Sequence, residues 1–379
     1  MPAREYKEMR YAYGFDEVAL VPGDVTINPD QVNIDFQLAD RVFPLPILAS
    51  AMDAVVDPDF AIKFGGFGGL AVLNLEGLQT RYEAPEEILE QISKAPDSEV
   101  TAFLQKVYAE PVKGNLVGKR IEAIKEGKVS CAVSVTPPNT KQLAPLAVDA
   151  GADVLVVQST VTTARHISKS YRGLIFPELC QELSVPVIVG NAVTYNVALE
   201  LMETGIAGLL VGVGPGAACT TREVLGVGVP QVTATMECAA ARDDHYRATG
   251  RYVVVITDGG IRTGGDLCKA IASGADAVML GSVLAQAEEA PGRGSHWGMA
   301  TFHGALPRGT RIKVGTNATL EQILLGPTSR TDGTQNLIGA LRTAMGVCGA
   351  LNIREMQRTE MIVAPSVKTE GKVWQMARH

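Results

Sequence analysis

The chain has 379 residues, 46 % of them hydrophobic and 20 % charged. That is a globular composition and excludes a disordered or collagen-like chain. With 34 basic and 41 acidic side chains the formal charge is −7, and no Lys/Arg block favours nucleic acid or an anionic membrane surface as partner.

At roughly 150 residues per domain the length would allow two or three domains, but a barrel can use far more as one. One catalytic barrel domain over residues 1–379 is the expected organisation. Met1 to Glu17 carries charges every few residues and no apolar h-region, so no signal peptide is expected. Cys131, Cys180, Cys219, Cys238, Cys268 and Cys348 are scattered without any C-x-x-C pair. This pattern reads as reduced thiols of a cytoplasmic protein rather than a disulfide or zinc framework.

Eight short apolar runs organise the chain. In order they are Ile47 to Ser50, Gly69 to Leu73, Val129 to Val135, Asp153 to Gln158, Pro186 to Asn191, Gly208 to Gly212, Val253 to Asp258 and Ala277 to Gly281. Most are apolar on both faces, as parallel strands between a core and a helical layer require. Helical stretches lie between them: Asp57 to Phe64, Thr140 to Ala150, Phe176 to Leu183, Tyr195 to Glu203, Ala234 to Arg247 and Asp266 to Ser273. Gly151, Gly205 and Gly274 follow three of these helices and would turn the chain into the next strand. Eight β/α units predict an α/β fold of the TIM (β/α)8 type over an open doubly wound sheet.

Two stretches depart from a plain barrel. Residues 74–128 are rich in Glu, Lys and Leu and predict two or three helices. Residues 292–326 show little apolar periodicity and several glycines. A loop that long in a compact domain reads as a mobile flap over the catalytic face. Thr204 to Thr221 is charge-free, but its five glycines and one proline fit a buried strand leaving into a Gly-rich loop rather than a membrane span.

That loop runs Gly212-Val213-Gly214-Pro215-Gly216-Ala217-Ala218-Cys219-Thr220-Thr221. Successive glycines let backbone N–H groups converge on an anion, and a thiol in that field is favoured as thiolate. Strand exits of a barrel form its catalytic face, so Cys219 is the candidate nucleophile. Asp258 ends the seventh run and is followed by Gly259-Gly260, while Gly281-Ser282 end the eighth. Loops after strands seven and eight form the usual phosphate site of such barrels. An acidic side chain beside it suits ribose hydroxyls, or else caps a helix. Met52, in Ala49-Ser50-Ala51-Met52-Asp53, would lie against a flat base or simply fill the core. No histidine or carboxylate spacing indicates a transition metal.

Together these segments resemble the IMP dehydrogenase/GMP reductase family almost end to end. The resemblance is carried by "YGFDEVALVPGDV", "ILASAMDAVVDPDFAIKFGGFGGLAVL", "VGNAVT", "GVGPGAACTTR", "GVGVPQ", "DGGIRTGGDLCKAIASGADAVMLGS" and "GALRTAMGVCGA", in family order. It implies that Cys219 attacks C2 of a purine ring and that Thr221 assists the water or ammonia step. Asp258 would hold the ribose, and Gly260, Gly281 and Ser282 the 5′-phosphate. Met52 and Met299 would contact the base, with Ser50, Gly216 and Gly298 completing the substrate set. Gln158, Ser159, Asn191, Gly212 and Gly214 would face NAD. Main-chain carbonyls of Gly214, Gly216 and Cys219 match the family's potassium site.

"AEEAPG" (Ala287 to Gly292) and "LPRGTRIKVG" (Leu306 to Gly315) resemble dehydrogenases, and the run after the second strand lacks the reductase lysine. The implied reaction is therefore oxidation of IMP to XMP with NAD+ through a cysteine thioimidate. Arg311, or Arg308, would act as the water-activating base of the flap. The family's Tyr-Arg-Gly-Met element reads His296-Trp297-Gly298-Met299 here. Residues 74–128 are too short for the paired CBS regulatory module. A homotetramer or octamer is implied by the resemblance alone. The alternatives are a GMP reductase using NADPH, a flavin-binding barrel oxidoreductase, and a non-catalytic purine nucleotide-binding protein.

Overall fold

The computed structural model describes residues 9–167, 173–298 and 310–364. All eight apolar runs are strands: β1 (Ile47–Ala49), β2 (Leu70–Asn74), β3 (Ala132–Val135), β4 (Val154–Gln158), β5 (Val187–Ala192), β6 (Gly208–Val211), β7 (Val254–Asp258) and β8 (Ala277–Leu280). They pair in parallel and close into one barrel in chain order, β8 hydrogen-bonding back to β1. The fold is a TIM barrel.

Side chains alternate across the strands. Leu48, Leu70, Val72, Val154, Val156, Ile188, Leu210, Ile256 and Met279 fill the interior. Leu73, Val133, Leu155, Val157, Val189 and Leu209 point outward into the helical layer. A hairpin, Phe36–Leu38 with Arg41–Phe43, precedes β1. Its Phe36, Leu38 and Phe43 join the interior cluster, with the two rings stacked 5.9 Å apart, and so close the N-terminal end of the barrel.

The helices follow in turn: α1 (Pro58–Gly66), α2 (Pro85–Lys94), α3 (Val100–Val107), α4 (Gly114–Glu126), α5 (Thr140–Asp149), α6 (Phe176–Glu182), α7 (Tyr195–Glu203), α8 (Thr221–Leu225), α9 (Gln231–Thr249), α10 (Gly264–Ala272), α11 (Leu320–Leu324), α12 (Leu337–Val347) and α13 (Ile353–Met356). Local chemistry fixes their ends. Pro58 opens α1 while the Asp57 carboxylate accepts the Phe60 N–H at 2.8 Å. Gly151, Gly205 and Gly274 take φ of 95°, 100° and 111° after their helices, the left-handed turn expected of them. α12 packs on α10 and supplies the eighth barrel helix.

Residues 74–128 hold three helices, but α4 is the ordinary barrel helix, packed between α1 and α5. The addition is α2 and α3. They form their own apolar cluster from Leu89, Ile92, Val100, Leu104, Val107 and Tyr108, closed by Trp297. Trp297 belongs to a two-stranded antiparallel ribbon, Ser295–Trp297 with Arg311–Lys313, which gives regular structure to part of the stretch read as a flap. Thr204 to Thr221 contains β6 and its exit loop, as expected. Among the described residues no helix is long and apolar enough to cross a membrane.

Candidate active site

At the C-terminal ends of the strands lies a cavity of about 940 Å³. Its walls are strand exits. Ser50 and Met52 come from β1, Gln158 and Ser159 from β4, Asn191 from β5, and Gly212, Gly214, Gly216, Cys219 and Thr221 from the β6 loop. Asp258 and Gly260 follow from β7, Gly281 and Ser282 from β8, and Gly298 from the ribbon. Parallel closure brings together residues as far apart in the chain as Ser50 and Ser282, because every strand ends on the same face.

The β6 loop is held by backbone geometry and one arginine. A Cβ on Gly212 would lie 2.3 Å from the Asp258 carbonyl oxygen, so the close approach of the β6 and β7 ends requires glycine. Arg222 donates from Nε to Val213 O at 3.2 Å and from Nη2 to Val229 O at 2.8 Å, stapling the loop across its base. The Cys219 N–H donates to Gly216 O at 3.0 Å. Its thiol donates to Thr221 Oγ1 at 3.2 Å, and Thr221 is buried at the start of α8. The candidate nucleophile and the hydroxyl expected to assist it are thus in contact. Burial pushes the other thiols up: Cys131 and Cys268 to about 12, Cys238 further, Cys180 and Cys348 in the same direction. Those five are packing residues.

Asp258 is the second anchor. Its Oδ2 accepts from Asn191 Nδ2 at 2.8 Å and from Gln158 Nε2 at 3.0 Å. Desolvation pushes the carboxyl up to about 6, against the opposing effect of those two donors. Asn191 and Gln158, expected to face NAD, thereby orient the carboxylate expected to hold the ribose. Ser159 lines the same wall, its hydroxyl 2.9 Å from Thr162 Oγ1. On the opposite wall the Ser50 N–H donates to Leu280 O at 2.9 Å. A Cβ on Gly281 would be 3.0 Å from Met52 Sδ, so the β1 and β8 exits form one surface.

The structure does not bring Arg311 to this cavity. Its guanidinium is buried and donates to Ile92 O at 2.5 Å, to Ser93 O at 3.0 Å and to the Asp97 carboxylate. In this structure the guanidinium is committed to the carbonyls ending α2 and not to the cavity that holds Cys219, so Arg311 stands here as a structural anchor. The other candidate, Arg308, and the base-contact residue Met299 lie outside the described residues.

Three further side chains of the cavity region carry no role in the sequence reading. Arg222 is one. Gln231 donates to Val211 O at 2.6 Å and Asp258 O at 2.9 Å, tying the β6 and β7 ends. His296 is buried in the cavity wall with neither ring nitrogen hydrogen-bonded, and burial lowers its pKa. Ribbon alternation carries the signal for His296: Trp297 enters the α2–α3 cluster, so its neighbour faces the other way. Among the described residues no group of three or more His, Cys, Asp or Glu side chains could hold a metal.

The IMP dehydrogenase / GMP reductase domain matches residues 12–304. An uncharacterised oxidoreductase of Mycolicibacterium smegmatis is 41 % identical over 363 residues, which are 93 % of this chain and 97 % of the relative. The inosine-5′-monophosphate dehydrogenase of Methanocaldococcus jannaschii is 28 % identical, covering 96 % of this chain and 95 % of its own. Among solved structures, an IMP dehydrogenase/GMP reductase-like protein from Corynebacterium glutamicum superposes with a TM-score of 0.89 at 36 % identity, over 94 % of this chain and 96 % of that one. With its barrel, cysteine loop and strand-exit cavity, the chain belongs to the IMP dehydrogenase/GMP reductase family of oxidoreductases.

Proposed function

We propose that this chain moves hydride between a nicotinamide dinucleotide and C2 of a purine nucleoside 5′-monophosphate held covalently by Cys219. The observation that carries the reading is the contact of Cys219 Sγ with Thr221 Oγ1, in a cavity that also holds Asp258 and the Gly281-Ser282 exit. Asp258 would accept the ribose hydroxyls. Gly260, Gly281 and Ser282 would donate to the phosphate, and Met52 would lie on the base. The wall from Thr136 to Pro138 and from Gln158 to Thr163 leaves room for the dinucleotide beyond the base.

In the oxidative direction IMP becomes XMP with NAD+. The Cys219 thiolate adds to C2 and hydride leaves C2 for the nicotinamide. Water then adds to the thioimidate carbon, losing a proton to a base, and the C–S bond breaks as the thiolate departs. Family wording at residues 287–292 supports this direction. Potassium at the Gly214, Gly216 and Cys219 carbonyls belongs to the same proposal. The Gly216 oxygen already accepts the Cys219 N–H, which leaves one lone pair for the ion.

A second reading, reductive deamination of GMP to IMP with NADPH, is favoured by one observation. Arg311 is spent on α2, and the reductive direction expels ammonia and needs no activated water. Incubation with IMP plus NAD+, in parallel with GMP plus NADPH, tests both by the absorbance of the reduced nicotinamide. Turnover of the first pair alone supports the oxidative direction, and of the second pair alone the reductive one. No turnover of either pair, with nucleotide still bound, returns the protein to a binding role. A colourless purified protein excludes the flavin alternative.

A further inference from the structure

Trp297 and Arg311 stand directly opposite each other in the ribbon, and both side chains are buried. Each enters the α2–α3 layer. Arg311 caps the carbonyls at the end of α2. Trp297 Nε1 donates to Tyr108 Oη at 2.8 Å, and Tyr108 Oη donates in turn to the Asp53 carboxylate. The other Asp53 oxygen accepts the Leu78 N–H at 2.9 Å. A Cβ on Gly77 would lie 2.0 Å from that oxygen, so the carboxylate is boxed in by main chain.

The two ends of this relay adjoin the cavity. Asp53 follows Met52, whose sulfur touches the Gly281 exit. Trp297 precedes Gly298, where a Cβ would sit 3.7 Å from Ala218 O, next to Cys219. Apolar packing would hold α2 and α3 in place without a phenol. A buried hydroxyl with one donor and one acceptor partner adds a fixed distance between them, because moving either partner leaves a polar group unpaired in a dry interior.

We infer that Tyr108 is a positioning residue of the active site. It holds the Met52 wall and the Gly298 end of the ribbon at a set spacing, and only through this one hydroxyl, not through the apolar packing around it, does the α2–α3 layer bear on the nucleotide site. The nucleotide half of this inference rests on the function proposed above; the spacing half does not.

Tyr108→Phe keeps the ring and removes both hydrogen bonds. Leu104→Ala is the control, in the same layer with an apolar side chain. Two readouts separate position from stability: KM against kcat for whichever nucleotide turns over, and the rate at which iodoacetamide alkylates Cys219 in ligand-free protein, read by peptide mass spectrometry. Tyr108→Phe is expected to raise KM about tenfold with kcat within about twofold, and to speed alkylation of Cys219 several-fold. Leu104→Ala is expected to lower Tm further yet leave both readouts at wild type. A wild-type alkylation rate in Tyr108→Phe overturns the inference, as does a Leu104→Ala variant that alkylates equally fast. An unchanged KM with faster alkylation overturns the nucleotide half alone. If the wild type takes neither nucleotide, the proposed function fails while alkylation still decides the spacing.

Discussion

Asn191 and Gln158 donate to the same oxygen of Asp258, from the ends of β5 and β4, at 2.8 and 3.0 Å. The carboxyl nevertheless titrates near 6, because desolvation outweighs the two amides. A ribose diol donates best to the ionised form. Nucleotide KM is therefore expected to rise as pH falls below about 6. Asn191→Ala removes a donor that lowers the pKa and should move that rise to higher pH. KM measured against pH for both proteins checks it; an identical profile would remove Asp258 from the ribose site.

The same raised pKa bears on stability with a definite sign. Burial pushes Asp258, Asp53 and Asp57 up to about 6 in the folded protein, against an ordinary value of 3.8. The folded protein thus binds protons more tightly than the unfolded chain. These three groups contribute stability that is fully present below pH 3.8 and is lost as pH rises through 6. Asp258→Asn should flatten part of that dependence between pH 4 and 6, as chemical denaturation across that window would show.

Cys219→Ala is expected to abolish turnover by several orders of magnitude while nucleotide still binds, since only the covalent step is removed. Thr221→Val should lower kcat more than it raises KM. Steady-state kinetics and equilibrium titration separate the two. A Cys219→Ala protein with residual wild-type turnover would end the thioimidate mechanism.

Arg311→Ala should behave as a stability variant. The carbonyls at the end of α2 lose their donor, at a cost of roughly 1–3 kcal/mol for a buried group left unpaired. Denaturant unfolding should show that loss, while the pH profile of kcat keeps its wild-type shape. A profile in which kcat no longer rises with pH would restore Arg311 as a base.

His296 is buried with both nitrogens unpartnered, and burial lowers its pKa. Its contribution to stability is present above the unfolded value of 6.5 and is lost as pH falls through the lowered folded value. Replacing it by Leu removes an unsatisfied polar group, so the ligand-free protein should be no less stable at neutral pH. The thermal shift on adding nucleotide should shrink. An unchanged shift would show that the ring faces no part of the ligand.

The barrel was legible because most of its strands are apolar on both faces and three are entered through a Gly turn; Gly151, Gly205 and Gly274 sit where that pattern puts them. That Cys219, Asp258, Gly281 and Ser282 meet in one cavity was legible because a closed parallel barrel carries every strand exit to one face. The role of Arg311 was not. Its partners lie 214 to 219 residues earlier, and a local motif does not say which way a long side chain turns. Tyr108 was hidden for the same reason, its indole partner lying 189 residues later. The resemblance implies that Gln158 and Asn191 face the cofactor, but no local motif shows that both also donate to Asp258, 100 and 67 residues later in the chain.

The hairpin whose Phe36 and Phe43 rings stack beneath the strands acts as a stopper. Nothing the size of a nucleotide passes through the floor, so traffic runs over the rim where Cys219 sits. Under the function proposed above, both reactants would share that doorway and the one lodged deeper would leave last, so that release order and product inhibition would follow from the plugged end of the vessel as much as from its chemistry.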